Sequence, residues 1–281
     1  MKPKRPQVLP QARALEGGWL AGWKQDRSFV TALGRGLEVL RCFSEANTEL
    51  GVSEIARLAG LPQPTAWRLC HTLLSLGYLA TVPDSDKLRV GNAVLALGHS
   101  ALPAAAAEDA VRPQLQRVAD RFHAAVGLAD RDRLSMMYLL RCRARPHLVM
   151  TSMRVGTRLA LYKAGIGWAY VAGMTEAERE PLFQRIRERV GREWPETSKH
   201  LLAAIHQYAG QGFVTNCGVL APGINTAAVP VRLAGGAHLA LNCTGPEDLL
   251  TPTRLAREIG PELVALADKL GTLFPPHAQA V

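Results

Sequence analysis

Between residues 63 and 72 the chain sets Gln63, Thr65, Trp67, Arg68, His71 and Thr72 in one short run. These side chains can hydrogen-bond nucleic acid. A guanidinium such as that of Arg68 grips a guanine edge with two bonds or holds a phosphate. Thr65 can donate to a phosphate beside a helix N-terminus, and Gln63 can read adenine where it reaches an edge. Lys87 and Arg89, further on, suit a DNA backbone or minor groove.

The other chemistry on offer is covalent. Cys217 or Cys243, with His206 or His238, would supply a nucleophile and a base. No local signature supports that pairing: there is no G-x-S-x-G, no P-loop and no H-E-x-x-H. No enzyme is expected. The five cysteines are odd in number and form no C-x-x-C pair. That argues against a zinc ribbon or a disulfide framework, and neither a metal nor a cofactor is expected. Scattered cysteines fit a reduced, cytoplasmic compartment, where each is a small buried hydrophobe.

For Arg68 and its neighbours to face outward, the opposite side of their helix must be buried. Ala66, Leu69, Cys70 and Leu73 fall at i, i+3, i+4 and i+7 and make that stripe over a helix from about 64 to 76. Pro64 suits a first turn, and Gly77 ends the helix. Upstream, Gly51 with Glu54 three later reads as a helix start, and Ile55, Ala56 and Leu58 form a short apolar side. Gly60 stops that helix, and Leu61-Pro62-Gln63-Pro64 is the turn. Leu33, Leu37, Leu40 and Ser44, with Val39 and Phe43, give an earlier helix over about 32–45. Tyr78–Val82 and Leu88–Val90 read as two strands joined by Pro83-Asp84-Ser85-Asp86-Lys87. Three short helices and a hairpin make a winged helix-turn-helix, over residues 28–91.

A basic arm (1–27), in which Trp19 and Trp23 sit four apart, precedes it. A linker helix over 92–106 follows, apolar from about 92 to 101, and a tail closes the chain at 275–281. Residues 107–274 mix both periods. Helices are expected near 106–125, 164–173, 175–191, 197–211 and 251–274. Strands are expected at 126–130, 134–142, 147–153, 226–232 and 237–243. Thr175-x-x-Glu178 is a capping box, and Thr251-Pro252 places a cap before a first-turn proline. Unequal helices between strands fit an α+β or α/β sensing domain. Arg131, Arg133, Arg141, Arg143 and Arg145 crowd one region. They read as a solvated or salt-bridged face, or as an anion site or subunit contact.

The formal net charge is +9. Residues 28–91 hold six Lys/Arg and six Asp/Glu, whereas residues 1–27 hold six and two. Pattern rather than bulk charge carries the nucleic-acid reading. No stretch of about 18 apolar residues occurs, so no membrane span is expected.

The run Leu50-Gly51-Val52-Ser53-Glu54-Ile55-Ala56, then Gly60-Leu61-Pro62-Gln63-Pro64-Thr65-Ala66-Trp67-Arg68-Leu69, then Gly77-Tyr78-Leu79, resembles the isocitrate lyase regulator (IclR) family. Val155–Tyr162 with Gly165-Ile166-Gly167 is similar to that family's effector-loop segment, and Gly223–Val231 to the strand after it. The resemblance implies a winged helix-turn-helix joined to an α/β (GAF-like) effector-binding domain. It implies a homodimer or homotetramer on a palindromic DNA operator, and a small organic acid as effector. It places the pocket where Gly165-Ile166 opens a helix, with Asn216 and Thr226 as hydrogen-bonding positions and Met150, Met153 and Tyr162 as apolar walls. Two departures stand out. Trp168 replaces a usual Lys or Arg, and Cys217–Pro222 replaces an acidic stretch. Both point to a more apolar effector, such as an aromatic acid. In the reader, Pro64 replaces a common Ser, and Trp67 is unusual; it would pack on the wing or press on a sugar. The competing reading is a regulator that senses no ligand and acts through a protein partner.

Overall fold

The structure is a computed structural model and describes residues 27–101, 105–144, 153–233 and 238–273. Most of the basic arm, Met150, Arg145, nearly all of the strand expected at 147–153 and the C-terminal tail lie outside the described residues. The chain divides into two compact units near residue 102.

The first unit runs α1 (Thr31–Arg41), β1 (Glu49–Leu50), α2 (Val52–Ala59), α3 (Gln63–Ser75), β2 (Leu79–Thr81), β3 (Leu88–Val90) and α4 (Ala93–Ala101). The Gly51 N–H donates to the Glu54 carboxylate at 2.9 Å and opens α2. Glycine has no side chain to return the second bond of a capping box. At the other end Gly60 turns left-handed (φ 64°), and the Leu61 N–H reaches back to the Ala56 carbonyl at 2.9 Å. Only glycine takes that conformation without a Cβ penalty. Pro62 and Pro64 then fix the start of α3. The hairpin closes through Val82 N–H to the Lys87 carbonyl at 3.0 Å.

β1 joins the wing, giving a three-stranded antiparallel sheet in the order β1-β3-β2. Two residues carry no period, so β1 left no trace in the sequence. Val39, Cys42, Phe43, Leu50, Ile55, Cys70, Leu79 and Leu88 form the core. Ala66 and Cys70 are fully buried, and Leu69 and Leu73 pack at the edge, as their spacing requires. The α1 stripe is a correction. Leu33 and Leu37 are exposed at 63 % and 52 %, and of the apolar residues in that stripe Val39, Leu40 and Phe43 turn inward, with Cys42 beside them.

The second unit runs α5 (Ala105–Phe122), β4 (Ala125–Asp132), β5 (Ser135–Arg143), β6 (Arg158–Ala160), α6 (Gly165–Gly173), α7 (Glu176–Val190), α8 (Trp194–Gln211), β7 (Val214–Cys217), β8 (Ile224–Arg232), β9 (His238–Pro246), α9 (Pro252–Arg254) and α10 (Gly260–Gly271). A π turn, Leu255–Ile259, joins the last two helices. Among the described residues six strands pair antiparallel throughout in the order β6-β5-β4-β9-β8-β7, so the α+β arrangement holds. One sheet face packs under α5 and α10, where Leu255, Ile259, Leu263, Leu266 and Leu270 are buried as their repeat predicts. The other lies under α6, with α7 and α8 outside it. Both predicted caps form. Thr175 and Glu178 exchange bonds at the start of α7, and Thr251 accepts from the Arg254 N–H at 3.3 Å. The short strands β6 and β7 were not foreseen.

Because the Gly60 cap sets the angle between α2 and α3, Gly60→Ala should cost about 1–2 kcal/mol of unfolding free energy. Urea denaturation of the full chain checks this; an unchanged midpoint with an unchanged slope would show that the turn tolerates a side chain.

Candidate nucleic-acid interface and ligand pocket

On α3 the buried stripe leaves Gln63, Pro64, Trp67, Arg68, His71 and Thr72 exposed on the outer side, with Thr65 half-buried beside them. The six predicted contact residues of this helix therefore share one region. Gln63 is tied to the preceding helix: its Nε2 donates to the Ser53 hydroxyl at 3.0 Å. The Thr72 hydroxyl turns back to the Arg68 carbonyl at 3.0 Å. Trp67 is exposed. It stacks on His71, with ring centroids 5.4 Å apart and planes within 6°. Lys87 and Arg89 are exposed on the wing. Arg89 stands in β3 between Glu49 of β1 and Ala80 of β2.

The second site lies where α6 meets the sheet. Its first turn leaves the Gly165 and Ile166 N–H groups without intrahelical acceptors, and among the described residues no side chain caps them. Asn216 and Thr226 are register partners on β7 and β8. A Cβ on Gly165 would stand 2.9 Å from the Asn216 Cβ and 3.2 Å from the Thr226 Cγ2, so only glycine fits. The structure thus brings Gly165, Asn216 and Thr226 together. Ile166 and Met153 are buried nearby in the same core, against which half-buried Tyr162 packs.

The polar atoms there are partly engaged by the chain itself. The Asn216 Nδ2 donates to the Lys163 carbonyl at 3.0 Å, and its Oδ1 accepts from the Val219 N–H at 3.2 Å. An amide has a further N–H and lone pairs beyond these two bonds. The Thr226 and Thr244 hydroxyls lie 2.7 Å apart, and Thr244 donates to the Asn225 carbonyl. With its one proton so used, Thr244 accepts from Thr226.

Sequence reading missed the rest of this wall. Register places Asn216, Thr226, Thr244, Ala125 and Arg143 in one row across the sheet. Val214, Ala228, Asn242, Gly127 and Arg141 form the next row. Asn242 pairs with the buried Tyr138 hydroxyl at 3.2 Å. The alternation of Ala240, Asn242 and Thr244 with Leu239, Leu241 and Cys243 was the available signal. Arg141 is no solvated cation: it is 9 % exposed, with its guanidinium 4.6 Å from the centre of the Tyr138 ring. Arg143 is half-buried and donates to the Met153 carbonyl. Trp168 also departs from expectation. Its Nε1 donates to the Tyr162 carbonyl at 3.0 Å, and its ring stacks on His200 of α8. That residue cements two helices, so its size says little about the ligand.

The cysteines are set against nucleophilic chemistry. Burial pushes the Cys243 thiol from 9.0 up to about 12, against the pull of the Arg254 and Arg141 guanidiniums. Burial also raises the Cys217 thiol. A catalytic thiol needs a shift in the other direction. The folded chain keeps the Cys243 proton while the unfolded chain loses its own near 9.0, so this stabilisation falls as pH rises from about 9 through 12. Denaturation midpoints measured across that range should fall less steeply for Cys243→Ala than for the parent; equal slopes would count against the shift.

Comparison with known proteins identifies both domains. Residues 32–83 match the IclR helix-turn-helix domain, and residues 99–272 match the bacterial transcriptional regulator IclR C-terminal domain. The chain is similar to the HTH-type transcriptional regulator TsaQ1/TsaQ2 of Comamonas testosteroni, at 30 % identity over 83 % of this chain and 84 % of that one. Its structure is similar to that of an IclR family transcriptional regulator from Brucella abortus, with a TM-score of 0.83 and 37 % identity, covering 90 % of this chain and 95 % of that one. It shares a fold with an IclR homologue of Microbacterium hydrocarbonoxydans solved with 4-hydroxybenzoate, at a TM-score of 0.67 and 24 % identity, over 86 % and 99 % of the two chains. The helix-turn-helix with its outward arginine and the glycine-opened helix over a polar sheet are thus the two halves of a regulator, and the chain belongs to the IclR family of DNA-binding bacterial transcriptional regulators.

Proposed function

We infer that this regulator binds a palindromic operator through the outer face of α3, and that a small organic acid held beside Gly165 modulates that binding. The observation that carries the first half is the outward side of α3, where Arg68 stands exposed beside Trp67, His71 and Thr72. A guanidinium so placed reaches a guanine edge in the major groove, and Thr65 in the first turn suits a phosphate. Lys87 and Arg89 then meet the backbone or the minor groove. The basic arm adds charge that the neutral reader lacks.

A palindrome is read by two copies. The exposed side chains of Val30, Leu33 and Leu37 recur along one side of the α1 region, at 62 %, 63 % and 52 % exposure. Such a stripe is costly in water and is what a second copy would cover. Homodimer or homotetramer is therefore the assembly we assign, working in the cytoplasm as a regulator rather than an enzyme.

For the effector, the first turn of α6 offers two N–H groups and the positive end of a helix to a carboxylate. Asn216 and Thr226 stand against it, and Ile166, Met153 and Tyr162 supply apolar surface. An acid with an aromatic body fits this combination, and the hydroxybenzoate carried by a protein of the same fold is the first compound to try.

Arg68→Ala should weaken binding to a selected operator by about 1–3 kcal/mol, roughly five- to 150-fold, with an unchanged circular dichroism spectrum. A footprint that survives the substitution would remove α3 from the groove. For the pocket, 4-hydroxybenzoate at one hundred times its dissociation constant should stabilise the folded chain by about 2.7 kcal/mol. Thr226→Val, which removes the hydroxyl beside Gly165 and keeps the side chain's shape, should shrink the thermal shift. A shift of equal size in the variant would place the ligand elsewhere.

A further inference from the structure

Trp67 is left in water at 57 % exposure, on the side of α3 that faces away from the core. One turn along, His71 is exposed as well, and the two rings lie parallel with centroids 5.4 Å apart. A parallel pair at this separation is an offset stack, which holds both side chains in one rotamer each. The helix thus presents a flat, preformed plate beside Arg68. Preformed side chains lose less conformational freedom on binding than flexible ones. Burial in the core accounts for Ala66 and Cys70, but it gives no reason for an indole on the opposite side.

We propose that the Trp67–His71 pair is a specificity element that reads the 5-methyl group of thymine in the major groove, beside the contact made by Arg68. This rests on α3 being the helix that enters the groove. In that groove thymine alone of the four bases offers a methyl group, and cytosine offers an amino donor in the same region. The face of an indole offers that donor only a weak π acceptor in place of water. Cytosine would therefore leave a polar group dehydrated and poorly paired, whereas thymine buries apolar against apolar. Burying one methyl is worth about fourfold in affinity. Arg68 and the plate then divide the labour: the cation grips a guanine edge or a phosphate, and the plate selects a neighbouring thymine.

The test uses the full chain and duplex DNA. An operator is selected from a random duplex library and resynthesised with each thymine replaced in turn by deoxyuridine, which lacks only the methyl. Wild type should lose about fourfold at one thymine of each half-site. Trp67→Ala should bind more weakly, keep its melting temperature and show no penalty at that thymine. Trp67→Phe and His71→Phe, which keep a stacked apolar pair, should retain part of the penalty. If no duplex is enriched, the DNA-reading assignment of α3 fails and the plate with it. If a duplex is enriched but wild type tolerates deoxyuridine at every position, the plate is overturned while DNA binding stands. The same follows if Trp67→Ala keeps the full penalty. Loss of the penalty in His71→Phe would overturn stacking in favour of a histidine hydrogen bond.

Discussion

In the C-terminal unit, α6 sits on its sheet with almost no space between. The first turn of that helix rests on β7 and β8 at Asn216 and Thr226, at a separation that excludes even a methyl group on residue 165. Two consequences follow. The free N–H groups of a helix start are brought directly against a row of polar side chains rather than against aliphatic core. The same helix still buries Ile166, Trp168, Ala169, Val171 and Ala172, so its axis cannot tilt away from the sheet to relieve the contact. A polar patch thereby persists inside an otherwise apolar layer.

The N-terminal unit solves a different problem with little material. Its core is small, and the outer face of α3 must stay free of it. Two constraints achieve this. Gly60 turns the chain sharply, and the prolines that follow leave only one place for α3 to begin. The stripe from Ala66 to Leu73 then fixes how α3 rotates about its own axis. Rotation and angle together decide which side chains point outward, so the position of Arg68 is a product of packing. Because residues 28–91 carry no net charge, affinity must come from where the cations stand and not from their number.

Much of this was legible in the residues. Periodic stripes gave the three reader helices, the hairpin and the long last helix, and capping chemistry located Thr175, Thr251 and Gly60. What failed did so for physical reasons. Two- to four-residue strands such as β1, β6 and β7 contain at most two periods, too few to stand out, and only their partners define them. Leu33 and Leu37 have the spacing of core residues, yet the neighbouring helices are too few to cover that side of α1. Arg141 reads as a surface charge among other arginines, but strand alternation buries it over Tyr138. Trp168, which looked like a clue to the ligand, is instead stacked between α6 and α8.

The sequence by itself determined the class of protein, the winged helix-turn-helix and the candidates Arg68, Gly165, Asn216 and Thr226, because each of these is set by local period, by turn chemistry or by a contiguous motif. Tertiary structure alone decided that Thr244, Asn242, Tyr138 and Arg141 belong to the same wall as Asn216 and Thr226, and that Trp67 stacks on His71. The reason is that antiparallel pairing joins residues 18 to more than 100 positions apart in sequence, and a rotamer is chosen by neighbours in space. No period within a single segment records either one.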